Sequence, residues 1–104
     1  MDSNIESKIM ELIFIAGNAK SMALKAIMEA EKKNIAESEK MLKEAKVELH
    51  KAHSIQTDFM NREFSGEEIE KTILLIHAQD HYMSAHTIIE LAERFINLYK
   101  LMWE

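Results

Sequence analysis

Residues 9–30, IMELIFIAGNAKSMALKAIMEA, decide the fold class. Alternating steps of three and four pick out Ile9, Leu12, Ala16, Ala19, Ala23, Ala26 and Ala30, the repeat of one face of an α-helix. From Ala16 onward the seam is all alanine, so another backbone can approach it closely. Working outward, Ser3 with Glu6 three residues later predicts a capping box that supplies acceptors to the orphan amides of a first turn. Asn34 with Glu37 predicts a second start, followed by the seam Ile35, Ser38, Leu42, Ala45, Leu49, Ala52, Gln56 and Phe59. Ser65-Gly66 breaks that pattern, and Ser65 with Glu68 offers a third capping box. The last seam reads Leu74, Ala78, His81, Ala85, Ile88, Ala92, Phe95, Tyr99 and Met102. Helices are therefore expected over 4–32, 35–63 and 67–103. At ~1.5 Å per residue each spans roughly 45 Å, and the short connections force neighbours to run antiparallel. The expected fold is all-α: an up-down-up three-helix bundle occupying residues 1–104 as one domain.

Composition removes other classes. The absence of cysteine excludes disulfide scaffolds, thiolate zinc sites and cysteine nucleophiles. No proline and two glycines, Gly17 and Gly66, leave too little turn chemistry for an all-β chain or a glycine-rich phosphate loop. A net charge of −5 argues against nucleic acid as a partner. No apolar run approaches the ~18 residues of a membrane span, and Met1-Asp2-Ser3-Asn4 lacks the basic and apolar regions of a signal peptide. The expectation is a cytoplasmic protein without direct membrane insertion.

The third helix carries more information than its period. At ~100° per residue, Glu68, Thr72, Gln79, His86, Glu90, Glu93, Asn97, Lys100 and Glu104 collect in one polar stripe. Besides the seam, a further apolar face carries Ile69, Ile73, Ile76, Leu91 and Leu98, and has no partner inside a three-helix monomer. A helix apolar nearly all round needs a second packing surface, which predicts a homo-oligomer with its third helices at a symmetry axis. Asp80 sits near the centre of that face. A carboxylate buried there needs a proton, a partner or a cation, and oxygen ligation favours a hard ion such as Mg²⁺ over zinc. Exposure of Asp80 at a loose oligomer rim is the alternative.

His50 and His53 belong to the second helix; His77, His81 and His86 belong to the third. His77 falls between the internal seam and the oligomer face, where an imidazole can act as base, nucleophile or metal ligand. His77 and His81 have the i,i+4 spacing of a helical metal pair. The Glu that follows the first His of a metalloprotease helix is absent, however, and no Glu has a His three residues on, as a carboxylate di-metal bundle requires. A transition-metal site built from His50, His53, His77 and His81 stays open as a binding-protein reading. Gln79, in the polar stripe, reads on pattern alone as a solvated amide. Residues 65–104 carry seven acids and three bases, an acidic surface around His77 suited to a basic protein partner.

Three stretches then carry a resemblance: Ala16-Gly17-Asn18-Ala19-Lys20-Ser21, Ala52-His53-Ser54-Ile55-Gln56-Thr57, and Ile76-His77-Ala78-Gln79-Asp80-His81, continued in Ile96-Asn97-Leu98-Tyr99-Lys100. With matching spacing over nearly the whole chain, the sequence resembles the IIA component of the lactose/cellobiose (including chitobiose) branch of the bacterial phosphoenolpyruvate-dependent sugar phosphotransferase system. The resemblance implies a homotrimer of three-helix bundles packed around a threefold axis through a coiled-coil-like core. It puts the phosphorylated residue on His77, at Nε2. His77 would take a phosphoryl group from the histidine-containing phosphocarrier protein and pass it to a cysteine of the cognate IIB component, in uptake of a β-linked disaccharide. It puts the axial metal ligand on Asp80, with one Mg²⁺ shared by three subunits. Gln79 or His81 is expected to donate to the phosphoryl group, and His53 and Gln56 to line the pocket from the same or an adjacent subunit. Two departures stand out. The first turn, Lys32-Lys33-Asn34, lacks the family's glycine, which predicts a left-handed Lys33. His86 replaces an aliphatic or small residue and reads as surface.

Overall fold

A computed structural model describes residues 3–103; Met1, Asp2 and the stripe residue Glu104 lie outside the described residues. Three helices follow one another: α1 (Ser3–Glu31), α2 (Ile35–Phe64) and α3 (Ile73–Trp103). They form an antiparallel bundle of 53 × 20 × 18 Å in which α1 packs along both of its neighbours, and α2 meets α3 less closely. There is no strand among the described residues, and no helix is long and apolar enough to cross a membrane.

The α1 seam is buried as its spacing predicts: Ile9, Leu12, Ala16, Ala19, Ala23, Ala26 and Ala30 are all fully inaccessible. On α2, Ser38, Leu42, Ala45, Ala52 and Phe59 are buried, while Ile35, Leu49 and Gln56 are half-buried. Ser38 is polar yet wholly inaccessible, and its hydroxyl donates to the Ala26 carbonyl oxygen at 2.6 Å. A small side chain there lets α1 and α2 approach, and the bond removes the cost of burying it.

On α3 the seam is turned by one residue. Ala78, Ala85 and Ala92 are buried as expected, but Leu75, Tyr82, Ile89 and Ile96 lie between them in place of Leu74, His81, Ile88 and Phe95. Both series satisfy the three-four repeat around the same alanines. The observed one buries Tyr82 and leaves the imidazole of His81 half-exposed, which avoids desolvating a polar ring.

The second correction lies at the start of α3. Residues 67–72 are not helical, and Thr72, not Ser65, begins the helix, its Oγ1 accepting from the Leu75 amide at 3.1 Å. Ile69 therefore leaves the outer face where a longer helix would place it. It folds inward, 5% exposed, against the core cluster of Phe59 and Leu75. Ser65 and Gly66 instead terminate α2: the Gly66 amide donates to Glu63 O and the Glu67 amide to Arg62 O, with Gly66 at φ 99°. That is a Schellman turn with glycine at its left-handed position.

The first connection repeats the motif. Lys33 N donates to Ala30 O and Asn34 N to Glu29 O, with Lys33 at φ 69°. Asn34 caps α2 without a side-chain bond, so the expected Asn34/Glu37 box does not form; its Nδ2 instead donates to Glu29 Oε2 at 2.9 Å. Trp103 closes this end: its indole Nε1 donates to Ala30 O at 3.2 Å, and Lys33 Nζ lies 4.5 Å from its ring centroid. Lys33→Gly is expected to stabilise the fold by roughly 0.5–1 kcal/mol, because relief of ~1–2 kcal/mol of left-handed strain outweighs an exposed cation–π contact. Urea unfolding of the two proteins measures it.

Candidate functional site

The outward face of α3, opposite its seam, carries Ile73, Ile76, Asp80, Met83, Thr87, Leu91, Arg94, Leu98 and Leu101 at three-four spacing, all exposed and mostly apolar. Ile73 is 84% exposed and Leu101 68%, values that mark an uncovered apolar strip rather than scattered surface residues. Asp80 stands within it, between Ile76 and Met83, and has no hydrogen bond or ion pair among the described residues. One subunit thus offers a hard cation a single free carboxylate in apolar surroundings. Oxygen ligands suit Mg²⁺, but a closed site needs further copies of the chain.

His77 lies on one flank of this strip and is exposed. One turn on, the Nε2 of His81 sits 3.1 Å from the Nε2 of His77, the rings meeting edge to face with centroids 4.5 Å apart. One of the two nitrogens must carry the proton. When His81 donates, His77 keeps an in-plane lone pair on Nε2 and its own proton on Nδ1, the tautomer of a nucleophile.

Gln79, two residues from His77, necessarily points elsewhere. It turns toward α2, where Gln56 Nε2 donates to its Oε1 at 2.8 Å, so it is a half-buried, paired amide and not a solvated one. Two further members of the polar stripe, Glu93 and Lys100, are also tied to α2. Lys46 pairs with Glu93 at 2.9 Å and Lys100 with Glu39 at 3.5 Å. The Lys46 ammonium, through its hydrogen bond and charge, holds the Glu93 carboxyl below the usual range. His53 is also on this side: its Nδ1 is 2.9 Å from Tyr82 Oη and its Nε2 3.3 Å from Thr57 Oγ1. Burial raises the pKa of the Tyr82 phenol, so it stays neutral and able to donate. A groove of about 380 Å³ opens beside this network, bounded by Gln56, Thr57, Met83 and His86. His86 also contacts Glu90 at 3.3 Å.

Within one subunit the expected site residues therefore divide into two groups. His77 and His81 share one flank of α3; Gln79, Gln56 and His53 share the other. No three His, Asp or Glu side chains gather to hold a metal among the described residues, so the four-histidine arrangement is not assembled in one subunit. Tyr82 and Thr57, which fix His53, were not singled out in the sequence. The available signal was the alternative α3 seam, which makes Tyr82 an inward residue.

Residues 7–100 match the family model described as "PTS system, Lactose/Cellobiose specific IIA subunit". The chain belongs to this family. As a IIA chain it is a phosphotransferase component, and its relatives agree. The lichenan-specific phosphotransferase enzyme IIA component of Bacillus subtilis (strain 168) is 39% identical over 104 residues, covering 100% of this chain and 94% of the relative. The crystal structure of the PTS cellobiose-specific enzyme IIA from Bacillus anthracis superposes with a TM-score of 0.94 at 41% identity, covering 98% of this IIA chain and 94% of the other. The IIA(chitobiose) of Escherichia coli, solved in solution in complex with HPr, superposes with a TM-score of 0.80 at 27% identity, covering 96% and 97%.

Proposed function

We propose that this IIA chain is a phosphocarrier whose His77 accepts a phosphoryl group at Nε2 from HPr, the histidine-containing phosphocarrier protein. His77 then hands it to a cysteine of the cognate IIB component, in the transport of a β-linked disaccharide. The observation that carries the reading is the exposed His77 with its Nε2 held 3.1 Å from that of His81. Relatives named for lichenan and chitobiose, and the HPr complex of one of them, support the sugar class and the donor.

In the forward step the His77 Nε2 lone pair attacks phosphorus in line. The N–P bond of the donor breaks, and its electron pair stays on the donor's ring nitrogen. The protein's task is positioning and neutralising charge spread over three equatorial oxygens. Once the His77 lone pair is committed to phosphorus, His81 Nε2–H is free to donate to a phosphoryl oxygen one turn away. In the second step the IIB thiolate attacks phosphorus, the Nε2–P bond breaks, and His77 recovers its lone pair.

The uncovered strip of α3 supports assembly about a threefold axis. In a cyclic arrangement each subunit sets one flank against the opposite flank of its neighbour. The His77–His81 edge of one α3 then faces the Gln79–Gln56 edge of the next, with His53 behind it, so the pocket is completed between subunits. Asp80 of each of the three subunits would hold one Mg²⁺, which would offset the mutual repulsion of the carboxylates and supply no step of the transfer. Two measurements test these statements. Intact mass after incubation with phosphoenolpyruvate, enzyme I and HPr is expected to show one added phosphoryl group per chain, lost in acid and stable in alkali; no added mass on folded protein refutes the carrier reading. EDTA is expected to lower the thermal midpoint of the wild type and to leave Asp80→Asn, which has less charge to neutralise, unaffected; equal responses refute the axial ion.

A further inference from the structure

We infer that His77 and His81 form a two-imidazole site for a divalent transition-metal ion such as Zn²⁺, and that an ion bound there shuts off phosphoryl transfer. The inference rests on the carrier reading for its consequence, though not for the site itself.

The geometry is that of a chelate. Two Nε2 atoms 3.1 Å apart, each ~2.0–2.1 Å from a metal, subtend about 95–102° at the ion. That lies between the right angle of tetragonal Cu²⁺ or Ni²⁺ and the tetrahedral angle of Zn²⁺. The ring planes lie 86° apart, and the two Nε2 atoms are the atoms within hydrogen-bond distance of each other. Neither imidazole has another hydrogen-bond partner among the described residues that would have to be displaced. At present one proton occupies the gap. When an ion enters, His81 carries its proton on Nδ1, as His77 already does, and both rings stay neutral. The acidic segment 65–104, with seven acids against three bases, raises the local concentration of cations.

Two protein ligands, with water filling the remaining positions, make a reversible site rather than a structural one. Function follows from which electrons are used. The ion takes the Nε2 lone pair of His77 that the carrier reading assigns to attack on phosphorus. Conversely, a phosphoryl group on Nε2 removes the first ligand, so ion and phosphate exclude one another.

The test begins with calorimetric titration of metal-free full-length protein with ZnCl₂, in excess Mg²⁺. One ion per chain is expected, with affinity at least tenfold weaker in His77→Gln and in His81→Gln and unchanged in His50→Gln. Undiminished binding in either of the first two variants, or no binding by the wild type at millimolar Zn²⁺, overturns the site. Single-turnover transfer from purified phospho-HPr, freed of enzyme I, then reads the consequence. Zn²⁺ at saturation is expected to slow it at least tenfold, with full recovery on adding EDTA; unslowed transfer at saturation overturns the block. Failure of transfer without Zn²⁺ would instead sink the carrier reading and leave the titration standing.

Discussion

His77→Gln is expected to accept no phosphoryl group at all, whereas His81→Gln is expected to accept one more slowly, by on the order of 10²-fold, the usual cost of removing one preorganised donor to a charged transition state. The two side chains touch, at 3.1 Å between their Nε2 atoms, yet the roles proposed for them differ in kind. Glutamine at position 77 keeps a polar chain of similar length but offers an amide nitrogen whose lone pair is delocalised. Glutamine at 81 retains an N–H and loses only its placement. The measurement is rapid-quench transfer from phospho-HPr, with the mass of the product located by fragmentation. Transfer to His81 in the His77→Gln protein would reverse the assignment. Equal rates for wild type and His81→Gln would leave the imidazole pair without a part in the reaction.

The second large effect concerns assembly. Leu91→Glu combined with Leu98→Glu is expected to convert the proposed trimer into monomers at micromolar concentration. Each leucine is about half exposed on the outward strip of α3 in the isolated subunit. Covering such a side chain contributes ~1.5–3 kcal/mol, and each glutamate would bring an unpaired carboxylate to the same place. Sedimentation velocity distinguishes the outcomes. A monomeric variant should also transfer phosphate more slowly than the wild type, since the Gln79–Gln56 edge would no longer face a neighbour's His77. A variant that stays trimeric would mean the α3 strip is not the axis. Helicity should be retained in either case, because neither leucine belongs to the buried seam Leu75, Ala78, Tyr82, Ala85, Ile89, Ala92 and Ile96.

The seam of α1 was legible residue by residue because alanines at 16, 19, 23, 26 and 30 admit one register only. On α3 the alanines at 78, 85 and 92 are compatible with two seams, and the spacing does not distinguish them. What separates them is desolvation: one seam would bury His81, the other buries Tyr82, whose hydroxyl finds His53. The start of α3 was misplaced for a different reason. Ser65 and Glu68 have the spacing of a capping box, but Gly66 is used for a left-handed turn, and Thr72 provides the cap. Local spacing could not show that Ile69 is wanted in the core. For the site, the clustering of His77, Asp80 and His81 was visible in the sequence, and the structure puts His77 and His81 in contact. The pairing of Gln79 with Gln56 was not visible, because it depends on how α2 and α3 are rotated toward each other.

The Trp103 clasp has an optical consequence. Trp103 is the chain's single tryptophan, and its indole reports on one event: the docking of the end of α3 against the turn between α1 and α2. It lies 26 residues along α3 from His77, roughly 40 Å at the helical rise, too far to sense the charge of a phosphoryl group directly. Its emission is thus a clean gauge of whether the bundle is closed, and it stays silent through chemistry at the other end. A spectral change on phosphorylation would then signal a displacement carried along the full length of the helix.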